Sequence, residues 1–147
     1  MANRIALITN GRLSEERAAG GITPGHLLQM SAGADTVIVH GTEGGYAERM
    51  IALEDALQGR NRDTAYTSGE VVTLLHAVPG DVNDMYIKAG EDIAIGDKLI
   101  SAGDGTLIEN GGEASGTTVQ QIIGVATAAL DLTASGAVAT RVAVRMV

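Results

Sequence analysis

The apolar residues of this chain occur in short runs, and glycine, aspartate, asparagine or serine ends each run within a few positions. Runs of about four to eight residues bounded by such turn formers are typical of β-strands, whereas amphipathic helices need longer stretches. The closing run, AVATRVAVRMV, alternates strictly, so that Val142, Val144 and Met146 share one face and the two arginines share the other. The sequence therefore predicts a mainly β fold.

Several other segments show the same pattern. HLLQMSAGADTVIVHG is predicted to form a hairpin about the turn at 33–35, with Val37 and Val39 on one face and Ile38 on the other. Further strands are predicted in EVVTLLHAV, DIAIGDKLI, GTLIE and TVQQIIGVATAAL, each bounded by turn residues. The segment ENGGEASGTTV, Glu109–Val119, is predicted to be an exposed loop, and no internal repeat or long linker is evident.

Two segments favour helix. Leu13–Gly20 has Ser14 as a possible N-cap, two glutamates in its first turn and a glycine at its end. GYAERMIALEDALQGR also fits a helical stripe that ends at Gly59, although MIALE alternates as a strand leading into one helical turn would. The predicted fold is thus a small β-barrel or β-tulip-like domain with one or two short helices.

The composition predicts that this domain associates with copies of itself. Its 147 residues include no Phe or Trp, three Tyr and 20 Gly, so the core depends on Val, Ile, Leu and Ala. Aromatic side chains bury the largest area per residue, and a chain without them gains much from burial between subunits. We therefore expect an oligomer.

Charge and cysteine content narrow the possible partners. The formal net charge of −8 argues against binding to nucleic acid or to anionic membranes. The sequence has no cysteine, which excludes disulfides and thiolate chemistry, and it has no long apolar run. We expect a protein that is made in a cytosol-like compartment and needs no cofactor.

No motif predicts catalysis. His26, His40 and His76 lack the spacing of a local zinc site, and the GDG at 103–105 is predicted to be a tight turn. The neighbouring acids Glu54 and Asp55 point in different directions on a helix or a strand, which disfavours a cooperating pair. The calcium-loop, nucleophilic-serine and phosphate-loop patterns are also missing from the sequence. We therefore predict that the chain is not an enzyme.

Two long stretches resemble a known family. ALEDALQGRNRDTAYTSGEVV and PGDVNDMYIKAGEDIAIGDKLISAGDGTL are similar to the capsid cement (head decoration) proteins of tailed bacteriophages. The shared elements are Tyr66 with Gly69-Glu70, the turn Pro79-Gly80-Asp81, the strand entry at Ala89-Gly90 and the turn from Gly96 to Leu99. ITPGHLLQ and IIGVATAALD also match, so the resemblance covers most of residues 20–147.

The resemblance implies a role rather than a set of contact residues. It implies a homotrimer that binds the major capsid protein on the outer surface of the virion and stabilises the expanded shell, after a period in the host cytoplasm during assembly. On this basis residues 21–147 form the β-rich decoration domain and residues 1–20 an N-terminal arm.

The arm is the predicted capsid-binding extension. Its apolar strand RIALI could add to a sheet edge of the shell, and the candidate contact residues are Arg4, Ile5, Leu7, Ile8 and Arg12. The alternative is that this strand pairs within its own domain or trimer.

Two other functions stay open at this point. One is a trimeric β-fold ligand-binding protein or enzyme with sites between subunits, for which acids and histidines of two subunits would meet in one cleft. The other is a different phage structural component, such as a tail protein, for which we would expect hexameric rings.

Overall fold

The computed structural model describes residues 4–32, 35–111 and 120–147, and these form thirteen strands and one 3₁₀ turn, Ala56–Gln58. The strands are β1 (Ala6–Ile8), β2 (Arg12–Ala18), β3 (Leu27–Met30), β4 (Thr36–Val39), β5 (Met50–Ala52), β6 (Val71–His76), β7 (Val82–Ile87), β8 (Asp92–Ile93), β9 (Lys98–Ser101), β10 (Leu107–Glu109), β11 (Gly124–Ala126), β12 (Leu130–Asp131) and β13 (Thr140–Met146). The predicted mainly β fold is confirmed.

The first half of the chain forms a closed barrel of five strands in the order β2-β4-β3-β5-β6, which we call barrel 1. Strand β2 pairs antiparallel with β6 along six residues, from Arg12↔His76 to Arg17↔Val71. On its other side β2 pairs parallel with β4, at Arg17↔Thr36 and Ala18↔Val37. The predicted hairpin of β3 and β4 is confirmed, while its turn residues 33 and 34 lie outside the described residues.

The second half forms a six-stranded sheet in the order β1-β7-β10-β9-β11-β13. Because β7 also pairs with β13, the five strands β7, β10, β9, β11 and β13 complete a circle of pairings, which we call barrel 2. Strand β1 lies outside this circle and, among the described strands, pairs only with β7. The predicted loop Glu109–Val119 falls mostly outside the described residues.

The two barrels have the same topology. In each, the first strand pairs antiparallel with the fifth and parallel with the third, and the second strand pairs antiparallel with the third and the fourth. A smaller pairing also recurs: the bridge Ile22↔Tyr66 in the first half corresponds to Leu130↔Ile93 between β12 and β8 in the second. The chain thus contains a structural repeat that is not evident in its sequence.

Paired apolar residues explain how the barrels pack together. Leu28, Met50 and Leu74 point into barrel 1, where they form one core cluster. Their neighbours Leu27, Ile51 and Leu75 point outward from the same strands and join the core cluster of barrel 2. Since successive side chains of a strand face opposite ways, a strand buried on both faces needs two apolar residues in succession.

The predicted helices are absent from these segments. Leu13–Gly20 lies mostly in β2, because six consecutive residues pair with β6 and this ladder outweighs the local capping signal. The second segment contains β5 and then the 3₁₀ turn, in which Asp55 caps the backbone N–H of Gln58 and Gly59 ends the turn with φ of 71°. The alternative of a strand leading into one helical turn is therefore confirmed.

The described part of the N-terminal segment is built into both sheets. Strand β1 belongs to the sheet of barrel 2 and β2 to barrel 1, so residues 4–18 connect the two halves of the fold. This is the arrangement in which the segment pairs within its own domain. Whether residues 1–20 also contact a shell remains a prediction.

Candidate interaction surface

The N-terminal strands carry apolar side chains that the described fold leaves exposed. Leu7 is 39% exposed, Ile8 58% and Leu13 63%. Arg4 and Arg12 are exposed beside them in the sequence. We call these five residues the N-terminal surface; the combination of apolar and cationic side chains suits contact with another protein.

The five predicted contact residues differ in their exposure. Arg4, Leu7, Ile8 and Arg12 are half-buried or exposed, whereas Ile5 is completely buried in the core of barrel 2. Ile5 therefore anchors the strand. Leu13 was missed as a surface residue because its segment was predicted to be helical; strand alternation would have been the signal.

A buried carboxylate fixes the link between β1 and β2. The side chain of Asp81 accepts hydrogen bonds from the backbone N–H groups of Asn10 at 2.7 Å, Val78 at 3.1 Å and Gly11 at 3.2 Å. The backbone N–H of Ile5 is held separately by the Glu54 carboxylate at 3.0 Å. These bonds satisfy turn donors that no strand partner reaches, so the N-terminal surface is held in one place.

The residues of the cement-protein pattern support the fold. The Tyr66 hydroxyl donates to the backbone oxygen of Leu53 at 2.7 Å, and burial raises the pKa of the Tyr66 phenol to about 12. The Glu70 carboxylate pairs with Arg60 at 2.7 Å and accepts from the backbone N–H of Thr67 at 2.6 Å. The bond from Arg60, followed by that from Thr67, lowers the pKa of Glu70 to about 2.

The three histidines have separate structural surroundings. His40 is buried, with Nε2 2.8 Å from the backbone oxygen of Tyr46 and Nδ1 2.7 Å from the Ser101 hydroxyl. His26 stacks at a tilt on Tyr86, with ring centroids 5.1 Å apart, and burial lowers its pKa. His76 is exposed and lies 2.8 Å from the Ser14 hydroxyl across the β2–β6 pair. They do not converge on one site.

A cluster of charged groups joins the two barrels. The Arg141 side chain, only 8% exposed, donates from Nε to the Pro24 oxygen at 3.0 Å and from Nη1 to the Asp63 carboxylate at 2.7 Å. It also donates to the Arg62 oxygen, and its guanidinium carbon lies 4.3 Å from the centre of the Tyr86 ring. All three guanidinium nitrogens donate hydrogen bonds, so the Arg141 cluster holds the two barrels together.

Two kinds of site are missing from the described ranges. Residues 4–32, 35–111 and 120–147 contain no group of three or more His, Asp or Glu side chains that could hold a metal ion. Over the same ranges no helix is long and apolar enough to cross a membrane.

The fold matches that of a phage head fiber protein. The N base of head fiber gp8.5 of bacteriophage phi29 superposes with a TM-score of 0.57 at 17% sequence identity, and the match covers 92% of this chain and 93% of that one. No protein-family model matches the sequence, and no curated protein does. The match therefore establishes a shared fold over nearly the whole length of both chains.

Proposed function

We propose that this chain is a structural protein of a phage head, which binds the outer surface of the shell as a homotrimer and cements it. The observation that carries the proposal is the fold shared with a head fiber base across 92% of the chain. The cement-protein pattern also supports it, and Tyr66, Glu70 and Asp81 of that pattern make structural hydrogen bonds in this fold. Within the described residues, no cluster of His, Asp or Glu side chains that could hold a metal ion competes with this role.

The proposed stabilisation of the shell follows from the linkage between binding and assembly. A protein that binds the assembled shell, and not its separate subunits, stabilises the assembled state by mass action. A trimer that contacts several subunits adds avidity, because the second and third contacts form at a high effective concentration. Modest affinity at each contact, repeated over a shell, then gives a large total effect.

The N-terminal surface is the proposed shell contact. Deletion of residues 2–12 is a poor test, because it removes Ile5 from the core as well as the exposed side chains. A sharper variant is Ile8→Asp with Leu13→Asp, which changes two exposed residues and leaves the backbone pairing intact. The matched control is Leu57→Asp with Ile95→Asp, which adds the same charge at exposed sites outside the N-terminal strands.

Co-sedimentation with expanded, undecorated shells measures the binding, and light scattering measures the oligomeric mass. We expect a trimer that binds saturably and raises the temperature at which the shells disrupt. The first variant should bind at least tenfold more weakly, while the control binds as the original protein does. A folded protein that binds no cognate shell would refute the cement role, and equal loss in both variants would refute the assigned surface.

A further inference from the structure

The two barrels can be aligned residue by residue through their equivalent hydrogen bonds. The backbone N–H of Ala19 donates to the Val37 oxygen at 2.9 Å where β2 leaves β4, and that of Lys88 donates to the Leu107 oxygen at 3.0 Å where β7 leaves β10. These two bonds are equivalent because both follow the parallel pairing of the first and third strands. Counting back along both strands makes Glu15 equivalent to Asp84, and Leu13 equivalent to Val82.

In barrel 2 the outer edge of the first strand is covered by β1. The backbone N–H of Asp84 donates to the Ile5 oxygen at 2.8 Å, and Val82 lies opposite Ile8 in the antiparallel β1–β7 pair. The short parallel contact with β10 begins only at Ile87. Strand β1 thus pairs with the part of β7 that β10 does not reach.

In barrel 1 the equivalent edge is open within the described part of the chain. The N–H of Ala18 donates toward β6, to the Glu70 oxygen at 2.9 Å. Because antiparallel bonding alternates along a strand, Glu16 and Ser14 also face β6, and the backbone groups of Leu13 and Glu15 face away. Strand β4 reaches only the last two residues of β2, and no other described strand pairs with that side.

We propose that this open edge of β2 receives an extended segment of a different protein, which adds to barrel 1 antiparallel to β2 as β1 adds to barrel 2. An unpaired strand edge is a template for such addition. The inference rests on the proposed function only for the source of the segment, which would be a shell subunit. In this contact β2 of this chain provides the strand edge, and the shell subunit provides the added strand.

The side chains along the edge define the segment that fits. Glu16 shares a face with Val72 of the barrel core, is half-buried, and has no partner for its carboxylate among the described residues. Leu13 points the other way and is exposed. The matching segment therefore carries a basic side chain beside Glu16 and an apolar side chain beside Leu13, in the alternation of a strand.

A second copy of this chain is a poorer occupant. Its own β1 is held by the buried Ile5 side chain and by the bonds of Asp81 and Glu54, and it would have to leave β7 in order to swap. The sequence of β1 is nevertheless a suitable probe. If the register Ala6↔Asn83 is carried over to β2, residue 4 of a peptide Arg-Ile-Ala-Leu-Ile-Thr comes beside Glu16.

The first test is amide hydrogen exchange on the free, full-length protein. We expect fast exchange at Leu13 and Glu15 and slow exchange at Ser14, Glu16 and Asp84. Protection of Glu15 in the free protein would overturn the inference. If that protection came with a concentration-dependent increase in mass, the occupant would be a second copy.

The second test adds the peptide of residues 4–9, free in solution and then joined to the N-terminus through a flexible Gly/Ser linker to raise its effective concentration. We expect new protection at Leu13 and Glu15 with Asp84 unchanged. Glu15→Pro removes the backbone N–H of residue 15, which faces the open edge, and leaves the hydrogen bonds to β6 in place; it should abolish the protection at Leu13. The control Glu15→Ala keeps this N–H and should bind the peptide normally. Glu16→Lys provides a second variant without proline and should weaken binding at least tenfold.

The inference fails if the linked peptide protects neither amide, or if Glu16→Lys binds as tightly as Glu15→Ala. Neither test contains shells, so these failures are distinct from failure of the cement role in co-sedimentation. If the peptide binds normally but Glu15→Pro still decorates shells at full affinity, the edge accepts strands but the shell does not supply one, and the proposed source is refuted.

Discussion

Replacement of Asp81 by alanine should destabilise the protein more than any other single loss of an acid. The carboxylate is completely buried and accepts three backbone hydrogen bonds, from Asn10, Gly11 and Val78. Hydrogen bonds to charged groups contribute about 1.5–3 kcal/mol each. Water can reach part of the turn after the substitution, so we expect a total loss of about 3–5 kcal/mol rather than the full sum.

That loss is large for a domain of this size. Single domains unfold with a free energy of about 5–15 kcal/mol, and 1 kcal/mol shifts the midpoint of a chain of this length by roughly 2–4 °C. Asp81→Ala should therefore lower the thermal midpoint by roughly 6–20 °C. The control is Asp97→Ala, which removes one backbone bond from Ala94 at 2.7 Å; because this bond is exposed and water can replace it, the loss should be about 1 kcal/mol.

Chemical denaturation of both variants measures the difference, and hydrogen exchange locates it. We expect faster exchange at Asp84, whose N–H bonds to Ile5 in β1, because the turn that positions β1 is lost. If Asp81→Ala is within about 1 kcal/mol of Asp97→Ala, the buried carboxylate does not anchor the N-terminal strands. Other contacts would then have to hold the N-terminal surface in place.

Three further predictions concern other parts of the fold. The folded pKa of Glu70 is about 2 against an ordinary 4.5, so the stabilisation by its carboxylate is present above about pH 4.5 and is lost as the pH falls toward 2. Urea unfolding at pH 6 and pH 2.5 should therefore show a smaller decrease in the free energy of unfolding for Glu70→Gln than for the original protein. Arg141→Lys should lower the free energy of unfolding in urea by about 2–3 kcal/mol, because an ammonium cannot replace the three directed bonds of the guanidinium. A loss below about 0.5 kcal/mol would show that the Arg141 cluster is not needed to hold the barrels together. Gly124→Ala should lower the free energy of unfolding by about 1–3 kcal/mol, since its Cβ would lie 2.5 Å from a Val144 methyl and 2.7 Å from the Arg145 oxygen. The control Gly20→Ala meets nothing within 4 Å and should leave the thermal midpoint unchanged. Equal midpoints for the two variants would contradict this packing.

The strands could be predicted from the sequence because alternation and turn residues are local signals. β13 shows this well: Val142, Val144 and Met146 are buried, and Arg145 between them is exposed. β2 could not be predicted, because its serine and two glutamates resemble a helix start and its strand form depends on β6, about sixty residues away. Pairing over such a distance leaves no signal in a short window of sequence.

The surface and the repeat were hidden for different reasons. Leu7 and Ile8 are exposed whereas Ile5 of the same strand is buried, and this burial depends on β7 and the second core, which the short sequence RIALI does not indicate. The repeat was hidden because equivalent inward positions differ in chemistry: Glu16 in barrel 1 corresponds to Met85 in barrel 2. The two barrels share their backbone pairing but differ in their side chains.

The shared topology of the two barrels also has a consequence for symmetry. If three chains assemble around one axis as proposed, the trimer contains six barrels of one architecture and two chemical types. Such an assembly has three identical chains but six similar units. Each chain thus presents the same pattern of backbone pairing twice, with two different sets of side chains.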